Sequence, residues 1–337
     1  MTESQIITSK NLLSTAKKVV IIPHRNPDGD AMGSTLALYH YLKNKGIEAT
    51  VLSPNEFPDF LAWLPDAENV LLYERDKITT KTILEAADLL FTLDFNALHR
   101  TGEMEHELVK LTAPFILIDH HEAPANYAAV AFSDTKYGST CEMIFDFIEA
   151  LGDIQLLDKN IATCLYTGIV TDSGSFKFPK TTGKTHRIVA QLIDIGIDNS
   201  KIHDLLFTNN SYESLQLLGR ALQNLKVLKN HKTSYITLSQ AELDRFHFKK
   251  GDTEGIVNYG LSIKGIIFTA IFIENKEEGI IKISLRSIGD FDVNQLSRDH
   301  FHGGGHKNAA GGKSHLSMKE TIAFFENVVQ NNPNLKF

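Results

Sequence analysis

His24, Asp28 and Asp30 lie within VVIIPHRNPDGDAMGS, where an apolar run breaks around a Pro-Asp-Gly turn. Asp94 ends an apolar run in FTLDF. Asp119, His120 and His121 end another in ILIDHH, and Asp172 follows an apolar stretch in YTGIVTDSGSF. Taken singly, each has a structural explanation: Asp30 as a helix N-cap, Asp94 as the cap of a helix starting near Asn96, Asp119 as a turn residue, the paired histidines as surface residues. Together they form a set of carboxylates and imidazoles without thiolate. That mixture suits Mn2+ or Mg2+ better than structural zinc. The set is too large for one ion, but two ions about 3.5–4 Å apart, bridged by a carboxylate, would use it. Such a pair lowers the pKa of a bridging water and clamps phosphoryl oxygens, which points to hydrolysis of a phosphate ester or anhydride.

The elements that must position these residues read as alternating strands and helices. KKVVIIPH, EATVLSP, Leu89–Phe95, a stretch within APFILIDHHEAP and YAAVAFSD have strand character, and KKVVIIPH is continuously apolar, as in a strand covered on both faces. DAMGSTLALYHYLKNKG has helical spacing and ends at Gly46, a plausible C′ glycine. This alternation predicts an α/β domain with a mainly parallel sheet flanked by helices. In such a sheet ligands bind outside the carboxyl ends of the strands, so the three strand-end clusters would face one crevice. From Gly138 to about Gly196 the pattern is largely helical, and Ser211 to about Leu228 reads as a longer connecting helix. Strand signals then dominate (TSYITLS, IKGIIFTAIFIE, IIKISLRSI), followed by the Gly-rich FHGGGHKNAAGG and a final helix, MKETIAFFENVV. The expected division is a metal-binding domain over residues 1–195, a helical linker over 196–229 and a smaller α/β domain with a mixed sheet over 230–337.

Composition narrows the classes. Hydrophobic residues make up 42% and charged residues 22%, ordinary for a globular protein. A net charge of −7 argues against extensive electrostatic binding of long DNA or RNA, while leaving room for a small basic pocket. No apolar run is long enough for a bilayer span, so no membrane association is expected. MTESQIITSKNLL lacks the features of a secretory signal. Cys141 and Cys164 form no CxxC motif, in keeping with a reducing, cytoplasmic setting.

HRNPDGDAMGS, LDF, DHH and GIVTDSGSF resemble, in order, the four motifs of the DHH phosphoesterases. ISLRS followed by GGGHKNAAGG resembles the C-terminal DHHA1 substrate-binding domain. The resemblance covers nearly the whole chain. Its length is similar to the NrnA-type branch, nanoRNases that also act as pAp phosphatases, and leaves no room for the additional domains of RecJ exonucleases.

The resemblance implies roles. His24, Asp28 and Asp94 would bind one Mn2+ (Mg2+ is the second choice). Asp30, Asp94, His120 and Asp172 would bind another, with Asp94 bridging. Asp119 would orient a ligand, and His121 would contact the substrate phosphate or assist the leaving oxygen. In the second domain Arg286 would hold phosphate, Gly303, Gly304 and Gly305 would offer backbone N–H groups to an anion as a nest does, and His306 would contact the terminal phosphate. Arg298 and Lys307 would add positive charge nearby. A short phosphorylated single-stranded oligonucleotide would enter a cleft between the domains and lose one mononucleotide, and pAp would be the smallest substrate. Cyclic dinucleotides or linear pApA are the alternative substrates, and a catalytically inactive nucleotide-binding regulator is the alternative of another class. A homodimer is allowed but not specified by the sequence.

Overall fold

The computed structural model describes residues 1–249 and 251–336. The chain divides into two compact units, Met1–Asn209 and Asn210–Phe337. The first is built on a six-stranded, wholly parallel sheet: β1 (Lys18–Pro23), β2 (Glu48–Ser53), β3 (Leu71–Leu72), β4 (Leu89–Leu93), β5 (Phe115–Asp119) and β6 (Val130–Ser133), in the order β3-β2-β1-β4-β5-β6. The order reverses direction between β1 and β4. In a doubly wound sheet that switch point opens a crevice at the carboxyl ends of the strands.

β1 explains its own apolar run. Val19 and Ile21 join a core cluster with Leu36, Ile144, Leu165 and Leu192, whereas Val20 and Ile22 join another with Leu84, Met104 and Leu108. Alternate side chains thus bury against opposite helical layers, each such burial contributing about 1.5–3 kcal/mol. The helix Gly29–Asn44 follows β1 and is ended by Gly46 at φ +78°. It lies against the helix Lys159–Asp172 at very short range. A Cβ on Gly33 would stand 2.6 Å from the Cys164 carbonyl oxygen, and one on Gly168 would stand 2.2 Å from Cys141 Sγ. Only glycines permit this approach, and the approach carries Asp172, the last residue of its helix, to the strand ends.

The second unit has a mixed six-stranded sheet: β7 (Lys226–Val227), β8 (Thr233–Leu238), β9 (Phe268–Asn275), β10 (Ile280–Ser287), β11 (Gly304–His306) and β12 (Ala309–Ser314), ordered β11-β12-β10-β9-β8-β7, with only β8 and β9 parallel. Phe325 and Val329 of the helix Met318–Gln330 cover one face with Phe268 and Phe272, and Leu217 and Ala221 of the helix Tyr212–Gln223 cover the other with Ile236 and Leu238.

Several local expectations change. The helix expected from Ser211 to Leu228 stops at Gln223, with β7 behind it, and it is part of the second unit's core rather than a free-standing connection. The Gly-rich segment, read without any strand of its own, supplies β11 and β12. Helices at Glu3–Thr15 and Val293–His300 were not legible, because the first buries only Ser9 and Leu13 and the second spans eight residues.

Candidate metal centre

The turn after β1 is held from outside. Asn26 sits at φ +58°, and its backbone N–H donates to Asn55 Oδ1 (2.7 Å) while Asn55 Nδ2 donates to Asn26 Oδ1 (2.8 Å). The N-cap of the following helix is Asp28 and not, as expected, Asp30: Asp28 Oδ1 accepts the N–H groups of Asp30 (3.0 Å) and Ala31 (3.1 Å). Its other oxygen, Oδ2, lies 3.9 Å from His24 Nε2. Asp30 is one residue inside the helix, where its buried carboxylate points across to another helix start. It accepts from Thr140 N (2.6 Å) and Cys141 N (2.9 Å), the first two residues of the helix Thr140–Leu151. Those N–H groups carry the positive end of that helix dipole.

Asp94 follows β4 at φ +65°, a left-handed conformation that costs a non-glycine residue of order 1–3 kcal/mol. The bend turns its carboxylate into the crevice. Asp94 Oδ2 lies 3.6 Å from His24 Nε2, and Oδ1 lies 3.4 Å from His120 Nε2. His120 Nε2 is also 3.4 Å from Asp172 Oδ2 and 3.9 Å from Asp30 Oδ2. Both imidazoles have Nδ1 at a carbonyl, His24 at Arg25 O (2.9 Å) and His120 at Tyr137 O (3.3 Å). A carbonyl can only accept, so Nδ1 carries the hydrogen in each neutral ring and the Nε2 lone pair faces the carboxylates. This is the tautomer that metal ligation needs.

Potential ligand atoms therefore gather in sets within 4.8 Å: His24, Asp28 and Asp94; Asp30, His120 and Asp172; and Asp94, Asp119 and His121. His121 Nδ1 is 2.7 Å from Asp119 Oδ1. Asp119 Oδ2 is buried without a hydrogen-bond partner.

The electrostatics describe a site with surplus negative charge. Burial, with repulsion from Asp94 and Asp172, pushes the Asp30 carboxyl well above its ordinary range. Burial also lifts Asp172 to about 6, against the pull of His120. Asp94 goes the other way: burial is outweighed by hydrogen bonds from His120 and His24, which hold it well below the usual range. For His120 burial is again outweighed, by Asp94 and Asp172, and its pKa rises to about 10. Without metal, protons on the imidazoles supply the positive charge that the carboxylates demand. Hard oxygen donors, two correctly oriented imidazoles and a buried surplus of carboxylates fit a pair of divalent cations.

Sequence reasoning missed three supports. Thr140 Oγ1 donates to Asp94 Oδ1 (2.9 Å) while its N–H donates to Asp30, so one residue ties the two carboxylates. Asn55 fixes the His24–Asp30 turn, and the Tyr137 carbonyl fixes His120. Only Thr140 had a signal, as the residue after the N-cap Ser139 of a helix with apolar periodicity.

The remaining predicted residues belong to the second unit. Arg286 on β10 pairs with Ala309 on β12, which pairs in turn with His306 on β11. Directly paired residues share a face, so Arg286, Ala309 and His306 form a row across three strands, with Arg286 and His306 roughly 10 Å apart. The triple glycine does not form the expected open nest. Gly303 N–H donates to Ser297 O (3.3 Å) and Gly305 N–H to Asn294 Oδ1 (2.9 Å). The glycines serve close packing, since a Cβ on Gly303 would stand 1.8 Å from Gly311 O. Arg298 Nε donates to the same Asn294 Oδ1 (3.2 Å), and Lys307 pairs with Asp290 (2.9 Å).

The chain matches the DHH family, N-terminal domain, over residues 18–169 and the DHHA1 domain over residues 233–331. It is 30% identical over 306 residues to the probable bifunctional oligoribonuclease and PAP phosphatase NrnA of Streptococcus mutans, covering 90% of this chain and 92% of that one. It is 30% identical over 312 residues to the bifunctional oligoribonuclease and PAP phosphatase NrnA of Thermus thermophilus, covering 92% and 88%. Among solved structures, an exopolyphosphatase-related protein from Bacteroides fragilis superposes with a TM-score of 0.93 at 37% identity, covering 98% of this chain and 96% of that one.

Proposed function

Because this chain belongs to the DHH family of phosphoesterases and carries a DHHA1 domain behind its DHH domain, we propose that it hydrolyses short oligoribonucleotides to mononucleotides and dephosphorylates pAp with two divalent ions, Mn2+ by preference. The observation that carries this reading is the division of Asp94: its two carboxylate oxygens face two different imidazoles, His24 at 3.6 Å and His120 at 3.4 Å. A carboxylate so placed is suited to bridge two ions.

In this scheme His24, Asp28 and Asp94 would hold one ion and Asp30, Asp94, His120 and Asp172 would hold the other. When bound, the ions supply an activated water and neutralise charge on the scissile phosphate. The residues around them do the rest. The Thr140 and Cys141 N–H groups fix the Asp30 carboxylate so that it cannot swing out of the site. Asp119 orients His121 through Nδ1, and His121 contacts the substrate phosphate or assists the leaving oxygen. Arg286 and His306 hold the terminal phosphate, with Ala309 between them small enough to admit it. The two NrnA relatives, named for both activities, support this substrate class.

The test is one panel assayed with Mn2+ and with Mg2+: RNAs of two to five nucleotides, pAp, pApA and cyclic di-AMP, with products resolved. The expected result is mononucleotide release from the shortest RNAs, adenosine monophosphate from pAp, and higher rates with Mn2+. Dominant turnover of cyclic di-AMP would replace this substrate assignment with the cyclic-dinucleotide one. Binding without product would make the protein a regulator, and a clear preference for pyrophosphate or long single-stranded DNA would overturn the reading.

A further inference from the structure

The segment Ser173–Lys180, immediately after Asp172, has an unusual backbone. Gly174, Ser175 and Phe176 are consecutively left-handed, at φ +55°, +58° and +69°. For Ser and Phe this conformation costs free energy, and it persists only where the surroundings over-determine it, commonly at ligand clamps. Here the surroundings are evident. Ser175 N–H donates to Val170 O (2.8 Å) and Phe176 N–H to Ser173 Oγ (2.9 Å), while the Lys177 and Phe178 N–H groups both donate to Ser173 O (2.9 Å each). The chain is folded back so that Phe178 starts beside the neighbour of Asp172. Phe176 turns inward, its ring 6.3 Å from that of Tyr166 and 5.4 Å from that of His186. Phe178 turns outward and stays 41% exposed, its ring lying over Gly174, where a Cβ would approach it to 2.6 Å. The sequence here is FKFPK, and the Lys180 ammonium lies in the field of the Asp172, Glu122, Asp119 and Asp134 carboxylates.

We propose that Phe178, held over Gly174 at the exit of the Asp172 helix, is a stacking platform for a nucleobase of the substrate, with Lys180 beside it facing the phosphate chain. Rigid exposed aromatics interleaved with basic residues bind single-stranded nucleotides without base preference, since every base offers a π-face. The strained turn keeps the ring from collapsing onto the apolar core, where Phe176 takes that place. This inference rests on the oligonucleotide reading of the site and adds to it a base-recognising element within the DHH unit.

The experiment compares kcat/KM for pApA with that for its abasic analogue, in which hydrogen replaces each base. The wild-type protein should prefer the base-bearing substrate, and Phe178→Ala should cut that preference about tenfold, mostly through KM, with Phe178→Trp restoring it. Lys180→Ala should weaken both substrates alike. A preference unchanged in Phe178→Ala would overturn the platform while leaving the phosphoesterase assignment intact. Equal loss on both substrates, not restored by Trp, would make Phe178 a support of the Asp172 turn and also overturn it. If the wild type turned over neither substrate, the oligonucleotide reading itself would fall, and the platform with it.

Discussion

Thr140 Oγ1 lies 2.9 Å from Asp94 Oδ1, and the same residue's N–H lies 2.6 Å from Asp30 Oδ2. One residue at a helix start therefore sets the separation of two carboxylates that reach it from different strand ends. The hydroxyl also takes up one acceptor position of Asp94 Oδ1.

Thr140→Val keeps the shape and removes the hydroxyl. Mn2+ affinity, read by titration calorimetry, should fall about 10–100-fold, the usual cost of losing a group that orients a ligand. Thr140→Ser should retain most of it. Because the helix itself is capped by Ser139, its thermal stability without metal should change little. An unchanged affinity in Thr140→Val would remove Thr140 from the site.

Metal removal should destabilise the first unit. A cation that binds only the folded state adds about 2.7 kcal/mol at a hundredfold excess over Kd. At roughly 2–4 °C per kcal/mol for a unit of this size, chelation should lower the melting temperature by about 5–10 °C, and Mn2+ should restore it. Differential scanning calorimetry with and without chelator checks this.

Glu142 should make stability depend on pH. Burial pushes its carboxyl up to about 7, opposed by the hydrogen bond from Thr185 and aided by Asp146. A carboxyl whose folded pKa is raised favours folding most below its ordinary value of 4.5. That contribution is lost as pH rises toward 7 and stays lost above it. Glu142→Gln, which can still accept from Thr185, should melt like the wild type at pH 4 and higher than it at pH 8. Parallel melting curves at both pH values would show that Glu142 titrates normally.

Gly168→Ala should damage stability and activity together. The added methyl would stand 2.2 Å from Cys141 Sγ and 2.8 Å from Asp30 Oδ1, so the two helices must separate and Asp30 must shift. Overpacking of this kind costs about 1–3 kcal/mol. A variant that melted normally and hydrolysed phosphoesters normally would show that the helix pair tolerates separation.

The candidate site residues, their order and the strand ends that carry them were legible in the sequence. Strand ends in a parallel sheet converge whatever the loops do, and a continuous apolar run such as Val19–Ile22 reports burial on both faces. The alternation of strands and helices likewise predicted the parallel sheet. What could not be read was how each carboxylate divides its oxygens. Asp28 and Asp30 are two residues apart and chemically identical, yet one caps its own helix and the other accepts from a helix 110 residues away. That choice depends on where the start of Thr140–Leu151 arrives, which is set by the Gly33 and Gly168 contacts between helices. The glycines of the second unit teach the same lesson: three in a row are compatible with an open nest or with close packing, and only the neighbours at Ser297, Asn294 and Gly311 decide for packing. Residue chemistry and periodicity are local and survive in one dimension. Hydrogen-bond partners at long range are a property of packing, and tertiary structure alone assigns them.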